Sequence, residues 1–309
     1  MMTVIDIDEI SQRSDQLPPT VIALGNFDGV HKAHRKILEI AAGTAGDIHA
    51  VPAVFTFRKS GKPEIISYGE RKRLIEKSGI KILFETDFDR VKDVGCRDFF
   101  ENYLLNKMHA VSIVCGYNYR FGIKASGDVK LLGEFCKEFS IGLTVVDRIL
   151  FEGADVSSSN IRTALRSGDV VFASELLGRP FSLTAKVRHG KNVGNKHGVP
   201  TLNLDFPSDS VCPAYGVYCA YCYVDGKRYN SVCNVGVDPT FGDGVSSPLC
   251  EINVFDFSGD VYGDEVKVEF LRFLRNEKKF CSPADLYEQI EKDISKAKSL
   301  FKVTFNEKQ

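Results

Sequence analysis

Between residues 20 and 150 the chain alternates short apolar runs with stretches whose apolar positions recur at helical spacing. The runs at 20–24, 50–57, 80–84, 111–115 and 143–146 read as strands. Candidate helices lie between them at 34–42, 69–77, 96–107 and 129–139. Strands parted by helices predict β-α-β units around a parallel sheet. After about residue 181 the pattern changes to short alternating strands separated by glycine and proline, at 183–188, 216–224, 227–235, 249–257 and 265–274. That spacing predicts a compact, mainly antiparallel β-barrel, followed by a last helix at 283–298. Residues 160–177 read as a helix joining the halves, with Gly178-Arg179-Pro180 as its stop.

Length agrees with two patterns in one chain. At 309 residues it exceeds what one core usually supports, and two domains are expected, 1–178 and 179–309. Forty basic and 41 acidic side chains leave a net charge of −1, too little positive field to hold a nucleic-acid backbone. The first residues carry Asp6, Asp8 and Glu9 and lack the pattern of a signal peptide. The most apolar later stretch, 211–224, is interrupted by Pro213 and Gly216 and is too short to span a bilayer. No membrane association and a cytoplasmic location are therefore expected. Nine cysteines, an odd number scattered from Cys96 to Cys281, read as reduced thiols. Cys219 and Cys222 form a C-x-x-C, but within a strand they point to opposite faces.

Chemistry concentrates at two places. Gly25-Asn26-Phe27-Asp28-Gly29-Val30-His31-Lys32-Ala33-His34 follows the first of these strands and opens a helix, the crevice position where open α/β sheets bind ligands. Gly25 and Gly29 allow close approach of backbone to a phosphate, and the helix amino end offers N–H groups to an anion. His31 and His34 share a helix face and can donate to charge developing at an attacked phosphorus. In the second half Gly190, Gly194 and Gly198 recur every fourth residue, a composition suited to a cover presenting backbone N–H groups. Pro200-Thr201-Leu202-Asn203 follows, placing a hydroxyl and an amide oxygen two apart on one strand face, hard donors able to hold Mg²⁺ beside nucleotide phosphates.

These strings resemble known ones. The first is similar to the G-x-F-D-G-x-H-x-G-H motif of nucleotidylyltransferases as found in bacterial FAD synthetases. Gly116-Tyr117-Asn118-Tyr119-Arg120-Phe121-Gly122 with Ser126-Gly127-Asp128, and Val156-Ser157-Ser158-Ser159-Asn160-Ile161-Arg162, resemble two further motifs of that family. The glycine repeat with Pro200, Thr201 and Asn203 resembles G-x-x-x-G-x-x-x-G-x-P-T-x-N, the signature of riboflavin kinases. The chain thus resembles the bacterial bifunctional riboflavin kinase/FMN adenylyltransferases from about residue 18 to residue 300.

The resemblance implies an α/β Rossmann-like nucleotidyltransferase domain followed by an antiparallel β-barrel riboflavin kinase domain with a C-terminal helix. It implies ATP-dependent phosphorylation of riboflavin to FMN, then adenylylation of FMN to FAD with release of pyrophosphate, with Mg²⁺ held by Thr201 and Asn203. Catalytic roles fall to Glu251, His31, His34 and Arg162. Nucleotide contacts fall to Gly25, Asn26, Phe27, Asp28, Gly29, Asn118, Arg120, Ser157, Ser158, Gly190, Gly194, Gly198 and Pro200. Arg275 and Glu277 would frame the flavin. The serine run reads equally well as a helix N-cap. Glu251 shares a strand face with Asn253, Phe255 and Phe257, and aromatic neighbours are expected to desolvate it and raise its basicity toward a substrate hydroxyl.

Departures from the family pattern are Ala33 for glycine, Asn160 for threonine, a neutral Asn118, Asn253 for histidine and, most heavily, Thr56-Phe57-Arg58-Lys59-Ser60-Gly61 in place of a T-F-x-P-H-P turn near the flavin side. Two alternatives stay open: a riboflavin kinase whose adenylyltransferase domain is weak or lapsed, and a non-catalytic flavin- or nucleotide-sensing protein.

Overall fold

Val21, Ile22, Ala23 and Leu24 are all buried, as a strand covered on both faces requires. The computed structural model, which describes residues 1–10, 17–59, 61–188, 201–237 and 248–305, places them near the middle of a six-stranded sheet. Strands β1 (Thr3–Asp6), β2 (Thr20–Leu24), β3 (Val51–Phe57), β4 (Ile82–Thr86), β5 (Ala110–Gly116) and β6 (Gly142–Val146) lie in the order β1-β4-β3-β2-β5-β6. Every pair is parallel, as the alternating pattern predicts. The order reverses between β2 and β5, so the loops after these strands open at the switch point where such sheets bind ligands.

Helix α1 (Lys32–Asp47) covers β2, β3 and β5 with Ile37, Leu38, Ala41 and Ala45. α2 (Tyr68–Lys77) precedes β4, and a single turn, α3 (Phe88–Val91), follows it. The stretch expected as one helix at 96–107 begins as α4 (Cys96–Asp98) and continues with π-helical spacing over Phe99–Lys107. This wider turn buries Phe99, Phe100 and Leu104 against Phe84 and Ile113, on the same core as Leu132 and Phe135 of α5 (Val129–Glu138). Truncating fully buried Phe84 or Phe100 to alanine would cost about 3–5 kcal/mol. A hairpin of β7 (Leu150–Phe151) and β8 (Ala154–Asp155) ends this part.

The chain divides into two compact units, Met1–Ser158 and Ser159–Gln309. The helix expected at 160–177 is two helices, α6 (Ser158–Arg166) and α7 (Val170–Leu177). They break at Gly168, whose φ of 83° no helix contains, and Asp169 caps α7 by accepting from the Phe172 N–H at 2.9 Å. Gly178 ends α7 in the left-handed region, as its place in the sequence predicts.

The second unit is a closed barrel of β9 (Phe181–Arg188), β10 (Thr201–Asp205), β11 (Gly216–Val224), β12 (Lys227–Val237), β13 (Pro248–Val254) and β14 (Glu265–Asn276), in the order β10-β13-β12-β11-β14-β9. All pairs are antiparallel. Tyr218, Ala220, Cys222, Cys233, Val235 and Ile252 alternate along their strands with residues of the other face and are buried. On that other face Val217, Cys219, Val232 and Leu274 pack with Phe255 against Ala297 of α8 (Pro283–Leu300) and Phe301. Ser282 caps α8 by accepting from the Asp285 N–H at 3.2 Å, with a proline in the first turn.

Candidate functional site

In the first unit the turn after β2 is a strained loop over a buried charge cluster. Phe27 and Val30 have φ of 51° and 39°, unusual for side-chain-bearing residues, beside Gly29 at 82°. Asp28 is buried, its Oδ1 accepting the Ile65 N–H at 2.9 Å and its carbonyl accepting the Ser158 hydroxyl at 2.9 Å. Ser158 thus reaches the glycine turn at the start of α6. His31 caps α1, its Nδ1 accepting the His34 N–H at 3.2 Å, and the two imidazoles stack with centroids 3.6 Å apart. Burial first, then the neighbouring charges of His31 and Arg71, hold the His34 imidazole well below its ordinary 6.5, so it is neutral at physiological pH. Its Nδ1 is buried without a hydrogen-bond partner among the described residues.

Arg71 was not among the sequence candidates. It is fully buried on α2 and donates from Nη1 to the Asn26 carbonyl at 2.9 Å and from Nη2 to the Arg58 carbonyl at 2.6 Å, with Glu64 at 3.6 Å. An arginine at the core-facing i, i+4 position of a helix, with Ile75 as its partner, is the signal that could have found it.

Asn118 and Arg120 are exposed in the loop after β5, Arg120 lying 4.0 Å from Asp128. Asp128 caps α5, accepting the Lys130 and Leu131 N–H groups at 3.0 Å. Ser157 precedes α6, and Arg162, buried on α6, belongs to the second unit. The altered turn is tied down by charge. Arg58 pairs with Asp6, with Glu85 at 2.9 Å and with Asp87 at 3.1 Å, contacts that raise its pKa, the Asp6 hydrogen bond most. Ser60 lies outside the described residues.

In the barrel one row of directly opposed residues runs around the outer face: Arg275 of β14, Val217 of β11, Asn234 of β12, Glu251 of β13, Asn203 of β10 and Arg188 of β9. The next row sets Thr201 opposite Asn253. Thr201, Asn203 and Glu251 therefore share one face, as the alternation of strands requires. A cleft of about 290 Å³ opens there, lined by Thr201, Glu251, Asn253 and Glu277 and walled by Phe280 and by Tyr287 of α8.

Arg275 is held by Asp293 of α8, donating from Nε at 3.0 Å and from Nη2 at 2.6 Å, and Gln289 donates to the same carboxylate at 3.0 Å. The pair fastens the end of β14 to the helix. A Cβ on Gly236 would lie 2.1 Å from Glu277 Oε1, so only glycine there lets the Glu277 carboxylate close on β12. Glu251 is exposed, and β13 ends at Val254. The strand alternation expected to place Phe255 and Phe257 beside Glu251 therefore stops short of them. Phe255 packs edge-on against Phe301, and Phe257 against Tyr229. Gly190, Gly194, Gly198 and Pro200 lie outside the described residues.

Thr201 and Asn203 offer two neutral oxygens, and no group of three His, Cys, Asp or Glu among the described residues could hold a metal. This donor set fits a hard divalent cation held jointly by protein, phosphate oxygens and water, not a protein-only cage.

A parallel sheet with a phosphate-type turn at its switch point and a barrel with a carboxylate-lined cleft define a two-unit nucleotide-dependent transferase. Comparison with known proteins agrees. Residues 13–160 match the FAD synthetase family and residues 177–301 the riboflavin kinase family. A bifunctional riboflavin kinase/FMN adenylyltransferase of Bacillus subtilis is 35% identical over 292 residues, 90% of this chain and 91% of that relative. Its counterpart in Haemophilus influenzae is 34% identical over 91% of this chain and 94% of its own length. A crystal structure from Streptococcus pneumoniae described as a macrolide-efflux protein superposes with a TM-score of 0.84 at 28% identity, covering 96% of this chain and 99% of that one. No described helix of the present chain is long and apolar enough to cross a membrane. The chain belongs to the bifunctional riboflavin kinase/FMN adenylyltransferase family.

Proposed function

We propose that this enzyme phosphorylates riboflavin to FMN at the outer-face cleft of the barrel and adenylylates FMN to FAD at the turn after β2. The observation that carries the kinase half is the cross-strand row that sets Glu251 between Asn203 and Asn234 at the cleft.

Glu251 orients the primary hydroxyl of the ribityl chain and accepts its proton as the oxygen attacks the γ-phosphorus of ATP and ADP leaves; its exposure keeps it accessible to the substrate. The apolar wall of Phe280 and Tyr287 receives the ring system, with Glu277 at its edge and Arg275 fixing the wall through Asp293. Mg²⁺ on Thr201 and Asn203 supplies positive charge to the phosphates when bound. Gly190, Gly194, Gly198 and Pro200 are assigned to nucleotide contact by resemblance alone.

In the first unit no side-chain nucleophile is needed, because the FMN phosphate is already ionised when it attacks the α-phosphorus of ATP. Gly25, Asn26, Phe27, Asp28 and Gly29 cradle the phosphates, and His31 and His34 donate to the charge that develops. Asn118, Arg120, Ser157 and Ser158 are assigned nucleotide contacts, and Arg162 a catalytic role, on motif alone. Within this proposal residues 1–178 carry adenylylation and 179–309 the kinase, and a cytoplasmic location goes with both. A second reading, in which FMN is the last product, is favoured by Lys59 and Gly61 standing in the family's P-H-P turn. Separating the flavins formed from riboflavin, ATP and Mg²⁺ distinguishes the two.

A further inference from the structure

Arg71 has the largest fully buried side chain among the described residues, and burying a cation costs several kcal/mol unless its donors are used. Both terminal nitrogens are used on backbone, while Nε is buried without a partner among the described residues. Nη1 and the Thr56 hydroxyl, at 2.9 and 3.0 Å, converge on one acceptor, the Asn26 carbonyl in the turn after β2, while Nη2 holds the Arg58 carbonyl at the end of β3 at 2.6 Å. Glu64 balances the charge at 3.6 Å, and the Tyr68 ring lies 4.9 Å from the guanidinium carbon. A methionine or leucine would fill this place on α2 at lower desolvation cost, so packing alone does not explain an arginine.

The peptide bond supplies the reason. In a trans peptide the carbonyl and the following N–H point in opposite directions. Pulling the Asn26 oxygen toward Arg71 therefore turns the Phe27 N–H away from the guanidinium. Phe27 stands at a φ of 51°, a conformation that needs outside support.

We propose that Arg71 is a positioning residue for adenylyl transfer, orienting the Asn26–Phe27 peptide so that its N–H meets the phosphates of ATP. This rests on the adenylyltransferase reading above. The same guanidinium is one of the charges that keep His34 neutral, after burial and His31.

The test measures FMN adenylylation and riboflavin phosphorylation on the same full-length chains. Arg71→Met keeps the volume and removes the donors. Its adenylylation kcat should fall about 10²-fold, the usual loss for one oriented donor. KM for FMN should change less than about threefold, with kinase turnover unchanged. Arg71→Lys, which keeps the cation on a single donor nitrogen, should recover about tenfold of the lost kcat, a rescue that a packing role would not give. If Arg71→Met adenylylates FMN with wild-type kcat and KM for ATP, the proposal is overturned while the adenylyltransferase reading stands. Wild-type chain that forms no FAD overturns both. Should Arg71→Met also lose kinase activity through misfolding, Thr56→Val decides, since it removes only the second donor to the Asn26 carbonyl. A fall of about tenfold in adenylylation is expected, and an unchanged rate overturns the proposal.

Discussion

Glu251 of β13 and Asn203 of β10 are direct cross-strand partners on the outer face of the barrel, far apart in sequence, and Glu251 lines the cleft there beside Thr201 and Asn253. Glu251→Gln keeps the shape and removes the proton acceptor. FMN formation should fall about 10³-fold in initial rate while riboflavin binding, read by flavin fluorescence, changes little. Undiminished turnover would remove Glu251 from the chemistry.

Arg275 and Asp293 fasten β14 to α8, with only 18% and 8% of their side chains exposed. Asp293→Ala leaves the guanidinium without its carboxylate and should destabilise the barrel by about 3 kcal/mol in urea unfolding. Riboflavin should also bind more weakly, because the helical wall of the cleft loses its anchor. Wild-type stability would show that the pair contributes nothing.

His34 links the first unit to pH. Unfolding returns it to near 6.5, whereas burial and then His31 and Arg71 hold it well below that value when folded. The unfolded chain therefore takes up a proton first. Stability is full above 6.5 and is lost as pH falls through it, by up to about 1.4 kcal/mol per unit, until the folded imidazole also titrates. Hydrogen exchange of α1 amides from pH 7.5 to about 5 should show this slope, and His34→Gln should flatten it.

The nine thiols should separate by burial. Cys281 is exposed, whereas burial pushes Cys115, Cys219 and Cys222 up to about 12 and Cys136 to about 11. A thiol reagent at pH 8 should react fastest at Cys281, a phase absent in Cys281→Ser, more slowly at half-buried Cys96 and Cys212, and with the six buried thiols only on unfolding.

Much of the fold was legible because a parallel sheet writes buried runs and a barrel writes short alternating ones. β1 was not, since Asp6 and Asp8 make its surroundings look solvated, although Asp6 serves to hold Arg58. The helix at 96–107 was read correctly as helical, but its π spacing follows from packing Phe99 and Phe100 under the sheet, which no periodicity records. At the sites, motif spacing pointed to Thr201, Asn203, His31 and His34 as candidates, and resemblance pointed to Glu251. Arg71 and Asp293 were missed because their partners, a backbone carbonyl and a distant arginine, are set by tertiary contact alone.

The most direct measurement is a time course in which the purified chain is incubated with riboflavin, ATP and Mg²⁺ and the flavins are separated. FMN should appear first and FAD after it, with pyrophosphate released in step with FAD. Riboflavin left unconverted, with no FAD formed from added FMN, would contradict the account.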